Sequence, residues 1–529
     1  MESNLKVYGK SGDIKTITFS SPARLSDILA QNGIEVEMPC GGRQRCLKCK
    51  VRAKGSLSPM GDWERTLLTE HEIKEDIRYA CMAEALGDVE ITLLSTGYRD
   101  EILTEGYLPQ FELNTWGKGF GIAVDIGTTT VAAYLYSLAD GKLLSTHAEK
   151  NPQAVYGADV VSRLQKSMDG EAKGLASIIR DCLSRLITGL CKQSSVPLDG
   201  VDSMVITGNS AMLYLLCEMD PKSIAVAPFE MDCNFGFFLS SRDLNLPGNI
   251  KIYLPRCISA YVGADITTAL MAAEFVTGGK VAPGKPRLLV DIGTNGEMAL
   301  AADGMLFCCS TAAGPAFEGA GIHQGIPART GAIYRVTLDN GRITSHVLGG
   351  GKAEGICGSG LLDAVAVMRE ARILDETGLI CDSGHDFAGY ITDENGQPAF
   401  LLPGTSVLLT QQDIRAVQLA KSAICAGIDT LIKESGYTRE DISELVIAGG
   451  FGSRLDIKSA EKIGLIPPGF SKKAYAIGNA AGSGASMLLL SEILRIQSEQ
   501  IAGLAKTVEL STHPYFMEKY IDGMYFPGV

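Results

Sequence analysis

Two copies of one motif decide the fold of this chain: Val124-Asp-Ile-Gly-Thr128 and Val290-Asp-Ile-Gly-Thr294. In each copy an apolar strand leads into the motif, and a turn and a second apolar strand follow it. Both copies then run on to a second turn, at Asp140-Gly141 and at Asp303-Gly304. Chance is a poor explanation for five identical residues in the same context, so we interpret the motif as an internal repeat.

The residue types of this repeat suit magnesium and phosphate. A carboxylate at the end of a buried strand can hold hydrated Mg²⁺, and a glycine-threonine turn offers N–H groups and hydroxyls to phosphate oxygens. The alternative is two ordinary hairpins in which Asp and Gly only form turns. We expect Asp125 and Asp291 to bind Mg²⁺ or to position the attacking water. The predicted phosphate-binding residues are Gly127, Thr128, Thr129 and Thr130 in the first copy, and Gly293, Thr294, Asn295 and Gly296 in the second.

A third motif, Leu445-Val-Ile-Ala-Gly-Gly-Phe-Gly452, is a short apolar strand that ends in glycines. Glycines at this place would let an adenine and a ribose lie close to the backbone. Glu297 and Asp159 are further catalytic candidates for water activation, although Asp159 could equally cap a helix. The third motif ends in Gly449, Gly450, Phe451 and Gly452.

The three motifs together resemble those of the ASKHA superfamily, which contains actin, Hsp70-type ATPases and sugar kinases. This resemblance implies two RNase H-like α/β lobes with ATP and Mg²⁺ between them. It also makes Gly449, Gly450, Phe451 and Gly452 the predicted adenosine-binding residues. We expect the first lobe over 119–284 and the second over 285–529, divided at a turn-rich boundary. The second lobe ends in an aromatic tail that is expected to pack across the two lobes.

Four cysteines near the N-terminus have the spacing of iron–sulfur ligands. Cys40, Cys46 and Cys49 lie on one glycine-containing loop, and Cys81 follows at a distance. Three close thiols and one remote thiol suit a [2Fe–2S] cluster, and the five residues between the first two resemble the adrenodoxin-like ferredoxins. Zn²⁺ is the alternative, but zinc sites usually consist of two close cysteine pairs. The spacing therefore predicts one [2Fe–2S] cluster.

The flanks of this loop predict a small β-rich domain. Leu5–Tyr8 and Ile14–Phe19 alternate like the strands of a hairpin, residues 22–33 have the pattern of a short helix, and Val89–Leu94 has the pattern of a closing strand. This order resembles a β-grasp ferredoxin domain over 1–95, which residues 96–118 would link to the first lobe. The expected fold class is α/β multidomain, a ferredoxin domain followed by a two-lobed ATPase.

A ferredoxin domain joined to an ASKHA ATPase resembles the reductive activators of corrinoid-dependent methyltransferases. The resemblance implies an ATP-hydrolysing enzyme that passes one electron from its cluster to an inactive Co(II) corrinoid protein and so restores Co(I). The implied partners are that corrinoid protein and an external low-potential electron donor, and a homodimer remains open. Five further stretches resemble this family: 151–163, 207–209, 260–265, 313–319 and 355–363.

Composition narrows the function classes. A net charge of −13 over 529 residues argues against nucleic acid as a partner. No apolar run reaches the length of a membrane span, and the first residues lack a signal-peptide pattern, so a cytoplasmic protein is expected.

Three other functions stay open for this combination of motifs. A sugar or acid kinase would share the ATPase motifs but has no use for a cluster. An activator of a 2-hydroxyacyl-CoA dehydratase lacks a ferredoxin module, and a non-enzymatic redox-sensing ATP-binding switch is the third.

Overall fold

The computed structural model describes residues 2–8, 14–32, 34, 36, 44, 49–94, 106–382, 384, 386–452 and 455–528. Cys40 and Cys46, two of the four predicted cluster ligands, lie outside these residues, as do residues 96–105 of the predicted linker. Within the described part of the chain, no helix is long and apolar enough to cross a bilayer.

The N-terminal residues form a six-stranded sheet with short helices beside it. Its elements are β1 (Glu2–Tyr8), β2 (Ile14–Ser20), β3 (Ala23–Arg24), α1 (Leu25–Gln31), β4 (Lys50–Leu57), α2 (Asp62–Thr66), α3 (Glu70–Lys74), β5 (Ile77–Tyr79) and β6 (Glu84–Leu93). The order is β2-β1-β6-β4-β5, with β3 pairing with β6. The predicted hairpin strands lie within β1 and β2. Helix α1 is shorter than the helix predicted over 22–33, and β6 begins earlier than the predicted closing strand.

The next part of the chain contains a second six-stranded sheet. Its elements are β7 (Phe120–Ile126), β8 (Thr130–Ser137), β9 (Leu143–Lys150), α4 (Val160–Lys166), α5 (Ala172–Gln193), β10 (Val201–Gly208), α6 (Ser210–Leu216), α7 (Lys222–Ala225), β11 (Phe237–Ser240), β12 (Lys251–Leu254), α8 (Ala264–Ala272), β13 (Val276–Thr277) and β14 (Lys280–Val281). The order of this sheet is β11-β12-β10-β7-β8-β9, and β13 pairs with β14.

The remainder of the chain contains one more six-stranded sheet and two three-stranded sheets. Its elements are β15 (Arg287–Ile292), β16 (Asn295–Ala302), β17 (Met305–Ala312), β18 (Ala332–Asp339), β19 (Arg342–Val347), β20 (Gly355–Ile356), α9 (Gly358–Glu370), β21 (Ile391–Glu394), β22 (Gln397–Leu401), β23 (Leu408–Thr410), α10 (Gln411–Glu434), β24 (Glu444–Ala448), α11 (Gly449–Gly452), α12 (Ile457–Ile463), β25 (Ala474–Gly478), α13 (Ala480–Leu490), α14 (Glu492–Leu504), β26 (Ala505–Thr507) and α15 (Pro514–Asp522). The order of the third six-stranded sheet is β26-β17-β16-β15-β24-β25.

The second and third sheets share one topology. In each, the first three strands form an antiparallel meander, and a fourth strand lies parallel to the first on its other side. Asp125 on β7 pairs with Thr207 on β10, and Asp291 on β15 pairs with Ala448 on β24. Each aspartate is thus next to last in its strand, at the carboxyl edge where α/β sheets bind ligands. The sequence repeat is therefore also a structural repeat.

The two lobes pack together through helices that lie between their sheets. A Cβ atom on Gly484 of α13 would lie 2.0 Å from the carbonyl oxygen of Thr268 on α8, so only glycine permits this approach. The core around these helices contains side chains of both sheets, such as Ala123 and Leu289. Helix α13, although late in the chain, thus packs against the first lobe.

The C-terminal tail packs on its own lobe rather than across the two lobes as expected. Lys421 on α10 donates through Nζ to the carbonyl oxygens of Gly523 (2.5 Å) and Tyr525 (2.8 Å). Arg369 on α9 donates to the carbonyl oxygen of Pro527 at 2.9 Å. Buried cations at these places satisfy carbonyl groups that would otherwise lose water without compensation.

A buried ion pair supports the N-terminal sheet just before Cys81. Glu64 accepts hydrogen bonds from Arg78 Nε (3.0 Å) and Nη2 (2.7 Å), and from the backbone N–H of Tyr79 (2.9 Å). The two side chains are only 3% and 8% exposed. Removing one partner of such a pair leaves an uncompensated buried charge.

We therefore predict that Glu64→Ala destabilises the N-terminal sheet by about 3–5 kcal/mol. Hydrogen exchange of the β5 and β6 amides in the full chain measures this local stability. The control is Glu75→Ala, which breaks an exposed ion pair with Arg52 and should cost less than about 1 kcal/mol. Equal exchange rates in the two variants would show that the buried ion pair stabilises the sheet no more than the exposed pair does.

Candidate functional site

A cleft of about 640 Å³ lies where the carboxyl ends of the two repeated sheets meet, a volume typical of cofactor sites. Of the catalytic, phosphate-binding and adenosine-binding residues predicted from the sequence, the structure places thirteen at its surface and leaves out Gly296, Gly452 and Asp159. The thirteen are Asp125, Gly127, Thr128, Thr129, Thr130, Asp291, Gly293, Thr294, Asn295, Glu297, Gly449, Gly450 and Phe451.

The first phosphate turn is held by hydrogen bonds from several elements. The N–H of Gly127 donates to the carbonyl oxygen of Thr130 at 2.8 Å, and Asn151 Nδ2 donates to the carbonyl oxygen of Gly127 at 2.8 Å. Asn209 Nδ2 donates to Thr128 Oγ1 at 3.2 Å, while its Oδ1 caps α6. Asn209 therefore lines the cleft and caps a helix at once.

The second phosphate turn is one residue shorter and adjoins the adenosine motif. The N–H of Gly293 donates to the carbonyl oxygen of Asn295 at 3.0 Å, which closes the turn. Gly449 has φ of 89°, and a Cβ atom there would lie 2.6 Å from Asp291 Oδ1. Glycine is therefore required where the adenosine motif passes the aspartate.

The aspartates of the cleft have raised pKa values. Burial raises the pKa of Asp125 to about 6, although a hydrogen bond from Asn479 Nδ2 (2.9 Å) works in the opposite direction. Burial and then the nearby Asp125 raise the pKa of Asp291 to about 7. Burial also raises the pKa of Asp265 and of Glu297, and the other carboxylates raise them further. Such shifts are typical of functional sites.

The charges of the cleft favour a nucleotide that arrives with a divalent cation. Among the described residues, five carboxylates line it, against two cationic side chains, Lys150 and Arg329. Arg329 already pairs with Glu354 at 2.7 Å. A metal-free triphosphate would meet strong repulsion here, whereas a bound cation reverses it.

The side chains fit Mg²⁺ held jointly with phosphate. Among the residues that the structure describes, no group of three or more His, Cys, Asp or Glu could hold a metal ion alone. Mg²⁺ usually takes one or two carboxylates, with waters and substrate phosphates as its other ligands. Asp125 and Asp291 suit that role, which stays a prediction.

Several residues of the cleft were not predicted from the sequence. Asp265, Lys150 and Glu318 line it, together with Asn479 at the start of α13. Two of them lie in stretches that were singled out only because they resemble a family, 260–265 and 313–319. Asn479 follows β25 and carries no local signal.

Asp159 lies outside the cleft lining and has a different contact. Its Oδ1 accepts a hydrogen bond from the N–H of Ser162 at 2.7 Å and so caps α4. The helix-capping interpretation of this residue therefore describes its position better than water activation does. Glu297, the other candidate, is a buried side chain at the cleft and keeps that predicted role.

Two of the predicted cluster ligands lie together at one end of the N-terminal sheet. The Sγ atoms of Cys49 and Cys81 are 3.2 Å apart, far longer than a disulfide bond. The N–H of Cys81 points to Cys49 Sγ at 3.5 Å, as backbone donors do around cluster sulfurs. Both side chains are buried. This pair fits half of a cysteine-ligated metal centre.

Comparisons with known proteins identify the two repeated lobes. The family described as "C-terminal domain of RACo the ASKHA domain" matches residues 285–529, and "RACo middle region" matches 120–277. The predicted ASKHA class is thereby confirmed. A short match, 32% identical over 88 residues, is to one component of the Na(+)-translocating NADH-quinone reductase of Shewanella denitrificans, and it covers 16% of this chain and 22% of that protein. The ferredoxin domain itself stays a prediction.

Three relatives of similar length have names that refer to corrinoid activation or to a corrinoid protein. The corrinoid activation enzyme RamQ of Eubacterium limosum is 32% identical over 591 residues, which covers 96% of each chain. The "[Co(II) methylated amine-specific corrinoid protein] reductase" of Methanosarcina barkeri is 26% identical over 70% of each chain. The solved "Reductive activator for corrinoid,iron-sulfur protein" superposes with a TM-score of 0.72 at 27% identity, over 99% of this chain and 98% of that one. This chain therefore belongs to the RACo family of corrinoid-protein reductive activators.

Proposed function

We propose that this protein is an ATP-dependent reductive activator that passes one electron from a [2Fe–2S] cluster to a Co(II) corrinoid protein, which becomes Co(I). The observation that carries the proposal is that both repeated aspartates and both phosphate turns line one cleft. The close pair Cys49 and Cys81 supports a cluster, with Cys40 and Cys46 as its remaining ligands. The names of the relatives support the corrinoid partner.

The side chains of the cleft divide the work of hydrolysis. Asp125 and Asp291 hold Mg²⁺ on the polyphosphate, and the hydroxyls of Thr128, Thr129 and Thr294 donate to its oxygens. Such fixed donors stabilise the charge that develops when water attacks a phosphoryl group. A cluster, when bound, supplies a one-electron carrier, and an external donor must reload it after each transfer.

ATP can drive the electron transfer only by changing the difference in free energy between two conformers of the protein. For a one-electron couple, about 59 mV corresponds to a tenfold change in the equilibrium constant. A nucleotide shifts the equilibrium only as far as it binds one conformer more tightly than the other. The two lobes, which share a core but bind the nucleotide between them, offer such conformers.

The direct test mixes catalytic amounts of the protein with a Co(II) corrinoid protein and excess reductant under anoxic conditions. The visible spectrum should show Co(I) with MgATP, and much less with MgADP. Equal rates of Co(I) formation with the two nucleotides would refute ATP coupling.

The metal-binding role of the aspartates gives a prediction for hydrolysis. Asp125→Asn and Asp291→Asn should each lower MgATP turnover at least about 100-fold, because a charged partner in a closed cleft is lost. The control is Asp140→Asn, in the exposed turn between β8 and β9, at the opposite end of β8 from the first phosphate turn. Phosphate release measures the rates, and near-normal turnover in both cleft variants would reduce the repeat to two structural hairpins.

The cysteine pair gives a second prediction. Cys81→Ser should abolish or strongly change the EPR signal of the reconstituted cluster and leave MgATP binding measurable, because the two sites lie in separate domains. Cys217→Ser, on the first lobe, serves as the matched control and should keep the signal. An unchanged signal in Cys81→Ser would remove this residue from the ligand set.

The raised pKa values of the aspartates predict a pH-dependent affinity. Without nucleotide, the cleft holds protons on Asp125 and Asp291 up to pH values of about 6 and 7, and Mg²⁺ requires the ionised carboxylates. MgATP binding should therefore release protons and become about 100-fold tighter from pH 5.5 to pH 8, because both carboxylates must ionise. Titration calorimetry in two buffers of different ionisation enthalpy measures the release.

Metal removal is the control for this pH dependence. With EDTA present, ATP should bind weakly at every pH and release no such protons. Proton uptake on MgATP binding would contradict the assignment of the two carboxylates as metal partners.

A further inference from the structure

A short turn, Pro315–Glu318, touches all three nucleotide motifs at once. Glu318 accepts a hydrogen bond from Thr129 Oγ1 in the first lobe, and its Oε1 accepts another from Thr294 Oγ1 in the second, at 2.7 Å. The ring of Phe317 stacks on Phe451 of the adenosine motif, with centroids 5.0 Å apart and planes 13° apart. One carboxylate thus bridges the two lobes at the predicted phosphate site.

The backbone of this turn is fixed by close packing. Gly319 has φ of 81°, and a Cβ atom there would lie 2.9 Å from the carbonyl oxygen of Ile326. A Cβ atom on Gly358 would lie 1.7 Å from the carbonyl oxygen of Phe317. The Glu318 side chain, in contrast, is half-buried and faces the cleft.

The hydroxyls that hold Glu318 are the ones predicted to hold phosphate. A threonine hydroxyl has one proton to donate. While Thr129 and Thr294 donate to Glu318, neither can donate to a nucleotide. A carboxylate also presents two anionic oxygens, as a phosphate edge does, so Glu318 and the polyphosphate compete for the same donors.

We propose that Glu318 is a latch: in the nucleotide-free protein it joins the lobes through Thr129 and Thr294, and the polyphosphate of MgATP displaces it. This inference rests on the proposed function of the cleft. It adds a cost to nucleotide binding, because only the unlatched fraction of molecules is competent to bind. It also makes the contact between the lobes depend on the nucleotide, which is the kind of two-state element that the proposed coupling needs.

Two variants of the full chain distinguish the latch from a simple effect of the Glu318 charge on nucleotide binding. Glu318→Gln removes the anion and keeps the shape. Glu318→Asp keeps the anion but is one methylene shorter and cannot span both hydroxyls. Titration calorimetry gives the dissociation constant for MgATP, and hydrogen exchange without nucleotide reports the two turns at 127–130 and 293–296.

The latch predicts that Glu318→Gln binds MgATP about tenfold more tightly than the wild type, and that Glu318→Asp also gains affinity. Both variants should exchange the amides of the two turns faster when nucleotide is absent. Wild-type affinity in Glu318→Asp would mean that only net charge matters. Weaker affinity in Glu318→Gln would mean that Glu318 assists binding, and unchanged affinity would mean that it plays no part in binding. Any of these results overturns the latch and leaves the proposed function standing, whereas a wild type that binds no MgATP overturns both.

Discussion

The close contact of α8 and α13 is the constraint on which the rest of the structure depends. Gly484 lets α13 reach the backbone of Thr268, and through it a helix from late in the chain packs on the first lobe. Asn479, which caps the start of that helix, also hydrogen-bonds Asp125 across the cleft. The packing that joins the lobes and the geometry of the site therefore share one element, so a movement between lobes must alter the surroundings of an aspartate.

The electrostatics of the cleft follow from the same packing. Strand ends of both sheets bring carboxylates together with little water, which is why the pKa values of Asp125 and Asp291 rise. In such a cleft the carboxylates repel one another, and a divalent cation that binds together with a nucleotide would reduce this repulsion. In the proposed function, the binding energy of MgATP would change the contacts between the lobes, and the electron-transfer step could use that change only through a difference between conformers.

The sequence predicted those features that depend on local pattern. The two turns of the repeat and the strand ends that carry Asp125 and Asp291 follow from apolar periodicity and glycine placement, and the structure has them at the predicted places. Asn479 was missed because its partner Asp125 lies 354 residues away, a distance that no local pattern encodes. Asp159 was assigned two roles because a capping aspartate and a catalytic one look alike in sequence. Strand β4 was not predicted, although its alternation of basic and apolar residues is typical of a half-buried strand. The structure pairs three of its cations with nearby acids, at Lys50–Glu72, Arg52–Glu75 and Lys54–Asp76.

The central claim is that one electron leaves the cysteine-ligated cluster and arrives on cobalt only when MgATP occupies the cleft. Rapid mixing of the reduced protein with a Co(II) corrinoid protein follows both spectra in one cuvette, with no other reductant present. The account predicts that cluster oxidation and Co(I) formation have the same rate and a one-to-one amplitude with MgATP, and are nearly absent with MgADP. Co(I) that forms without matching cluster oxidation, or at the same rate without ATP, would contradict it.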